Sequence, residues 1–359
     1  MDWKENPYNG KKVLVTGHTG FKGAWLVKML SMLGARVKGY ALAPETSPNL
    51  YDVLRVEEIT TSVIGDLMDA KRLSREIISF EPDFIFHLAA QPLVRLSYEF
   101  PVETFAVNSI GTAHLLDALR KWQHKCTVVL ITTDKVYYNY EWPYAYREND
   151  RLGGYDPYSA SKACAELVID SYRNSFFNIE KYEEHQKALV VARAGNVIGG
   201  GDWAKDRLIP DIIRALQENK EIVLRNPEAV RPWQHVLEPL YGYLLLGAVA
   251  SERYGDISKA YNFGPWSHDT LTVEEMTKLA VEIWGRGEYV VRRDTRVLHE
   301  ANMLKLDISL ANKELNWHPR LNASEALEWT LGWYKNWYEY PENIREYTEK
   351  QIKFFFERS

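Results

Sequence analysis

The sequence predicts an α/β protein: an open, doubly wound parallel sheet with helices on both faces, followed by a smaller mixed α/β lobe. Three observations carry this. Short, wholly apolar strand patterns alternate with amphipathic helical ones, as in a parallel sheet buried on both faces. Three glycines follow the first strand and open the first helix. Hydroxyl and charged residues cluster just past the fifth strand, at the edge where open α/β sheets bind ligands.

The first strand, over 12–16, runs into Gly17-His18-Thr19-Gly20-Phe21-Lys22-Gly23 and a helix over 24–33. Glycines at such a turn let the backbone approach a pyrophosphate, and the helix N-terminus supplies N–H groups and a positive dipole end. The spacing is G-x-x-G-x-x-G. A second strand, over 37–41, ends in Leu42-Ala43 without the carboxylate that usually holds a ribose, and Glu45 stands several residues late. NAD and NADP both remain open on this point. No arginine follows to grip a 2′-phosphate, which favours NAD.

A third strand ends near 63–67. Asp66 is there either as an acceptor for the adenine amine or as the N-cap of a helix over 71–80. The fourth strand, over 83–88, ends in Leu88-Ala89-Ala90-Gln91, where small residues let a cofactor lie against the backbone and Gln91 is expected to point into the cleft. Helices are predicted over 102–122 and 158–172, and strands over 127–131 and 189–194. These elements make a Rossmann-type domain spanning 1–194 plus about 232–265. The rest, 195–231 and about 266–359, is expected to form the substrate-binding lobe.

That lobe opens at the glycine loop Asn196-Val197-Ile198-Gly199-Gly200-Gly201-Asp202-Trp203. Arg207 precedes a helix over 209–217. Arg231-Pro232-Trp233-Gln234-His235-Val236 offers charge for phosphate and aromatic surface for a base or sugar, and equally suits a surface arginine packed on an indole. A helix over 236–250 and a strand over 260–264 follow. Arg296, His299 and Lys305 are expected on the far side of the pocket. The tail over 323–355 is helical, and its tryptophans and tyrosines read as core or dimer contacts.

Two polar clusters suggest chemistry. Thr132-Thr133-Asp134-Lys135 lies past the fifth strand, and Tyr158 and Lys162 are one helical turn apart on one face. An ammonium beside a phenol favours the phenolate, which is able to take a proton from a sugar hydroxyl. An ordinary surface tyrosine and lysine would give the same spacing.

The chain has 359 residues, 46% hydrophobic and 26% charged, with a net charge of −5, as suits a soluble two-domain protein. No basic stripe suggests nucleic acid. The start, Met1-Asp2-Trp3-Lys4-Glu5-Asn6, lacks an export signal's apolar core, and the longest apolar run, over 244–250, is far too short to cross a membrane. Cys126 and Cys164 read as free thiols of a reducing cytoplasm. No metal-ligand spacing occurs.

The glycine turn, Tyr158-x-x-x-Lys162 and Asn108 resemble the extended short-chain dehydrogenase/reductases. Within them, Thr-Thr-Asp-Lys at 132–135 is similar to the Thr-Asp-Glu segment of the nucleotide-sugar 4,6-dehydratases, with Lys135 in place of the glutamate. Segments 89–95, 153–158, 193–203 and 231–236 extend the resemblance over about 11–337.

The resemblance implies NAD, held by Gly17, Thr19, Gly20, Phe21, Lys22, Gly23, Asp66, Leu67, Leu88, Ala89, Ala90, Asn108, Thr132, Tyr158 and Lys162. It implies Thr133, Asp134, Lys135, Tyr158 and Lys162 as catalytic residues, and Gln91, Asn196, Arg207, Arg231, Arg296 and His299 on the substrate. The implied substrate is CDP-glucose, oxidised at C4, dehydrated across C5/C6 and reduced at C6. In this scheme Lys135 is the base toward C5 and Asp134 the acid toward O6. A neutral Lys135 near pH 7.5 needs a shift of about three units, roughly 4 kcal/mol, with Asp134 protonated. A homodimer is implied through the helices from Val102 and Tyr158, with a tetramer as the larger alternative. A 4-epimerase, a dehydratase of another nucleotide sugar, and a cofactor-binding regulator are the competing readings. The Asp134-Lys135 pair argues against an epimerase.

Overall fold

The computed structural model describes residues 6–292 and 304–358. Six strands of the first half, β1 (Lys12–Thr16), β2 (Arg36–Ala41), β3 (Thr61–Ile64), β4 (Phe84–His87), β5 (Cys126–Ile131) and β6 (Lys187–Ala194), join β7 (Ala260–Phe263) in one sheet. Every pairing is parallel and the order is β7-β6-β5-β4-β1-β2-β3. The order reverses between β1 and β4. Thr16 lies opposite both Tyr40 and His87 there, so three carboxyl ends open on one crevice.

Alternation along the strands divides the core. Val13, Val15, Val129 and Val190 face one layer, with Trp25 of α1 (Phe21–Met32). Leu14, Ile85, Val128 and Leu189 face the other, with Leu73 of α2 (Ala70–Phe80) and Leu115 of α3 (Gly111–Arg120). The second layer also receives α4 (Pro157–Ser175), whose N-cap Asp156 accepts from the Ser159 N–H at 2.9 Å.

Some expectations change. The helix over 102–122 is three pieces: Pro101–Phe105, a π-helical turn Ala106–Ile110, and α3. A short helix, Val94–Glu99, precedes them. Asp69, not Asp66, caps α2 by accepting from the Arg72 N–H.

Beyond β6, α5 (Leu208–Gln217), α6 (Leu237–Arg253) and α7 (Val273–Trp284) are joined by two-stranded pairs. Among these, Val197–Ile198 pairs with Gln234–His235, and Val230–Arg231 with Leu271–Thr272. The tail is two helices, α8 (Ala323–Glu339) and α9 (Ile344–Glu357). The glycine loop is a packing joint: a Cβ on Gly200 would lie 2.0 Å from the Trp333 indole, and Trp25 Nε1 donates to the Gly200 carbonyl at 3.0 Å.

Candidate active site

The crevice begins at the glycine turn. Gly17 has φ +80°, and a Cβ there would sit 2.8 Å from the Ala89 nitrogen. A Cβ on Gly23 would strike the Gly17 carbonyl at 2.0 Å. Gly20 caps α1 with no side-chain acceptor, and no acid stands in the first turn. The leading N–H groups are thus left for an external anion, and a nucleotide pyrophosphate fits. Thr19 Oγ1 donates to the Leu42 carbonyl at 2.8 Å, and the Ala89 N–H donates to Thr16 Oγ1 at 3.2 Å, closing β1, β2 and β4 around the turn. Asp66 is exposed, and its Oδ1 accepts from the Met68 N–H. Leu67 is buried and Leu88 partly so.

The reacting groups gather beyond β5. Asp134 is almost fully buried. Its Oδ1 accepts from Thr133 Oγ1 at 2.8 Å and from Lys135 Nζ at 3.1 Å. Lys135 Nζ also donates to Asn196 Oδ1 at 3.2 Å, so Asn196 is placed on the candidate base. Tyr158 enters from the first turn of α4. Burial pushes its phenol up to about 12; a hydrogen bond with Thr133 works against this, nearby Asp134 adds to it, and Arg207 opposes it. Lys162 Nζ donates to the Ile131 carbonyl at 3.2 Å, and burial pulls this amine down to about 8, with Glu166 opposing. Against the expectation of a phenol held low by Lys162, burial is the largest influence on Tyr158 and Arg207 is the cation that opposes it.

Other expected residues are used differently. Gln91 turns back on its own loop, its Nε2 donating to Thr104 Oγ1 at 2.9 Å and to the Leu93 carbonyl at 3.1 Å, not into the cleft. Asn108, inside the π turn, accepts from the Gln91 N–H and donates to Ser161 Oγ at 2.8 Å, tying the end of β4 to α4. Arg207 is tethered to Asp202 by a 2.8 Å hydrogen bond. Arg231 donates to the Val230 carbonyl. Ala90 lies in the bend after β4. Arg296 and His299 lie outside the described residues.

A buried ion pair went unread. Glu166 and Arg193 are both nearly inaccessible, and the guanidinium engages both carboxylate oxygens. Thr132 Oγ1 donates to Glu166 at 2.7 Å, and Arg193 donates to Tyr137 Oη at 2.8 Å. The available signal was spacing: Glu166 follows Lys162 by one turn, in phase with Tyr158. Among the described residues no group of His, Cys, Asp and Glu is arranged to hold a metal.

Taken together, a phenol, an ammonium and a bracketed carboxylate stand beside a turn built for a nucleotide. The family model for GDP-mannose 4,6 dehydratase matches residues 14–330. A CDP-glucose 4,6-dehydratase of Salmonella typhimurium is 50% identical over 333 residues, covering 93% of each chain. Among solved structures, the dTDP-glucose 4,6-dehydratase of Bacillus anthracis in complex with NAD superposes with a TM-score of 0.74 at 23% identity, covering 93% of this chain and all of that one. The UDP-glucose 4-epimerase of Thermotoga maritima, with UDP-glucose, gives 0.77 at 21%, covering 91% of this chain and all of that one.

Proposed function

The chain belongs to the GDP-mannose 4,6-dehydratase family, and from that premise we propose that it converts CDP-glucose to CDP-4-dehydro-6-deoxyglucose with NAD. The observation that carries this reading is the bracketed Asp134: exchange at C4 alone needs Tyr158 and Lys162, whereas loss of water needs a further acid and base. The glycine turn would hold NAD, which would supply a hydride acceptor for sugar C4 and return that hydride to C6.

The chain's own residues do the rest. Tyr158 takes the O4 proton and Thr133 holds O4; the enclosed phenol, at about 12, becomes a base only when positive charge arriving with the bound cofactor adds to Lys162, which is protonated below about pH 8. The 4-ketone acidifies the C5 proton. Lys135 and Asp134, joined by a 3.1 Å hydrogen bond, are assigned as the base and the acid of the elimination. The amine takes the C5 proton, and the acid protonates O6 as the C6–O6 bond breaks and water leaves. Asn196 keeps Lys135 aimed at the cleft. Arg207 and Arg231 are assigned to the diphosphate.

A homodimer accompanies this reading, built on the exposed apolar residues Val102, Ile110 and Leu167 of the helical layer; light scattering checks it. The free thiols Cys126 and Cys164 suit a reducing cytoplasm. No helix among the described residues is long and apolar enough to cross a membrane.

The test is a panel of CDP-, dTDP-, UDP- and GDP-hexoses, with the alkali-induced ultraviolet absorbance of a 4-keto sugar as readout. CDP-glucose is expected to give the highest kcat/KM. A 4-epimer product with no keto-sugar absorbance would sink the assignment.

A further inference from the structure

Lys22 occupies the second position of α1, where the glycine turn needs only its backbone N–H. Its side chain runs inward. Nζ lies 3.2 Å from Tyr243 Oη and 5.6 Å from that ring's centroid. Tyr243, on α6, is fully buried and packs edge-on against Phe263. The hydrogen-bond acceptor given to Lys22 is thus a neutral phenol, not a carboxylate.

The charges that bear on Lys22 come from every element around the reacting groups. Arg207 precedes α5, Lys162 lies on α4, and Asp134 and Lys135 follow β5. Four cations, Lys22 included, therefore stand against two carboxylates, Asp134 and the Asp202 that pairs Arg207. Burial, helped by Arg207, Lys162 and Lys135 and opposed by Asp134, pulls the Lys22 amine down to about 7. An aliphatic side chain would fill the same space against Tyr243 without that penalty, so packing alone does not account for an amine.

We propose that the Lys22 side chain belongs to the reaction site and that its ammonium favours the reduced nicotinamide over the oxidised one. The inference rests on the NAD reading above. Any hydride acceptor serving the sugar must reach the group formed by Tyr158, Lys162 and Asp134. The oxidised ring carries one more positive charge than the reduced ring, and a site with surplus cations discriminates against it. Lys22 thereby assists C4 oxidation and limits escape of the oxidised cofactor's partner, the reduced form, before C6 is reduced.

The sign with pH follows. The ammonium is present below about 7 and lost above it, so Kd(NAD⁺)/Kd(NADH) is largest in acid and falls as pH rises. Titrations of the full chain, stripped of nucleotide, with NAD⁺ and with NADH measure this ratio without turnover. At pH 6, Lys22→Met is expected to lower it about tenfold, the order of effect of one unit charge on another within a partly buried site. Lys22→Arg is expected to keep the wild-type ratio at pH 6 and to exceed it at pH 8.5, where the guanidinium stays charged. Ratios within twofold across the three proteins at both pH values would overturn the proposal. If Lys22→Met does not fold, equal ratios for Lys22→Arg and wild type at pH 8.5 overturn it. Wild-type protein that binds neither nucleotide overturns the NAD reading itself, a different result from binding with an invariant ratio.

Discussion

Lys135 donates to Asp134 and to Asn196, so its removal releases two acceptors and takes away the base assigned to C5. Lys135→Met is expected to lower kcat by at least about 10²-fold. Binding of NAD should be unchanged, and reduced cofactor should accumulate after a single turnover, because the sugar is oxidised but not dehydrated. Near-normal turnover would remove Lys135 from its role. Arg193→Met leaves the buried Glu166 carboxylate without its partner, a loss of about 3–5 kcal/mol; urea denaturation checks the value. These residues also mark what one sequence conceals. Thr133, Asp134, Lys135, Tyr158 and Lys162 stood out as candidates because short polar clusters at strand and helix ends contrast with apolar runs, and the fold brings them to one end of the sheet. Glu166 and Arg193 were not, since a charged pair buried against each other is spelled like two surface charges. Gln91 was misplaced because nothing local tells an amide facing a cleft from one closing its own loop.

At the scale of elements, the strands were readable because a sheet covered on both faces makes them continuously apolar. The π turn at 106–110 was not, because one slipped hydrogen bond leaves the apolar period nearly intact. It matters for the site: the slip lies at Asn108, which joins the end of β4 to α4. The packing of the glycine loop is equally local. Gly200→Ala drives a methyl into the Trp333 indole and is expected to cost about 3 kcal/mol or more, seen as a lowered Tm. Gly285→Ala, where nothing crowds the Cβ but φ is +86°, is expected to cost only about 1 kcal/mol.

Over the whole molecule, buried titratable groups set the pH range of stability. Burial pulls His18 down to about 4 and His87 and His235 to about 3, from an ordinary 6.5. The unfolded chain therefore binds more protons below 6.5, and stability is lost as pH falls from there toward 4. Glu238 acts in the opposite direction. Burial raises it from 4.5 to about 8, so its contribution is full below 4.5 and lost as pH rises through 8. Lys22 and Lys162, drawn down to about 7 and about 8, oppose Glu238 above pH 7, so its contribution is read by difference: the urea midpoint of Glu238→Gln relative to wild type should rise as pH goes from 4.5 to 8.

The pairing of α1 with α9 has a consequence for biosynthesis. Lys28, almost wholly enclosed on α1, meets Glu349 of α9 at 2.5 Å, and α9 buries Ile344, Ile352 and Phe355. The helix that carries the nucleotide turn emerges early from the ribosome, yet the acid that pairs its enclosed Lys28 is translated more than 300 residues later. A chain ending before 344 therefore holds an enclosed lysine without its carboxylate, and its urea midpoint is expected to lie below that of the full chain.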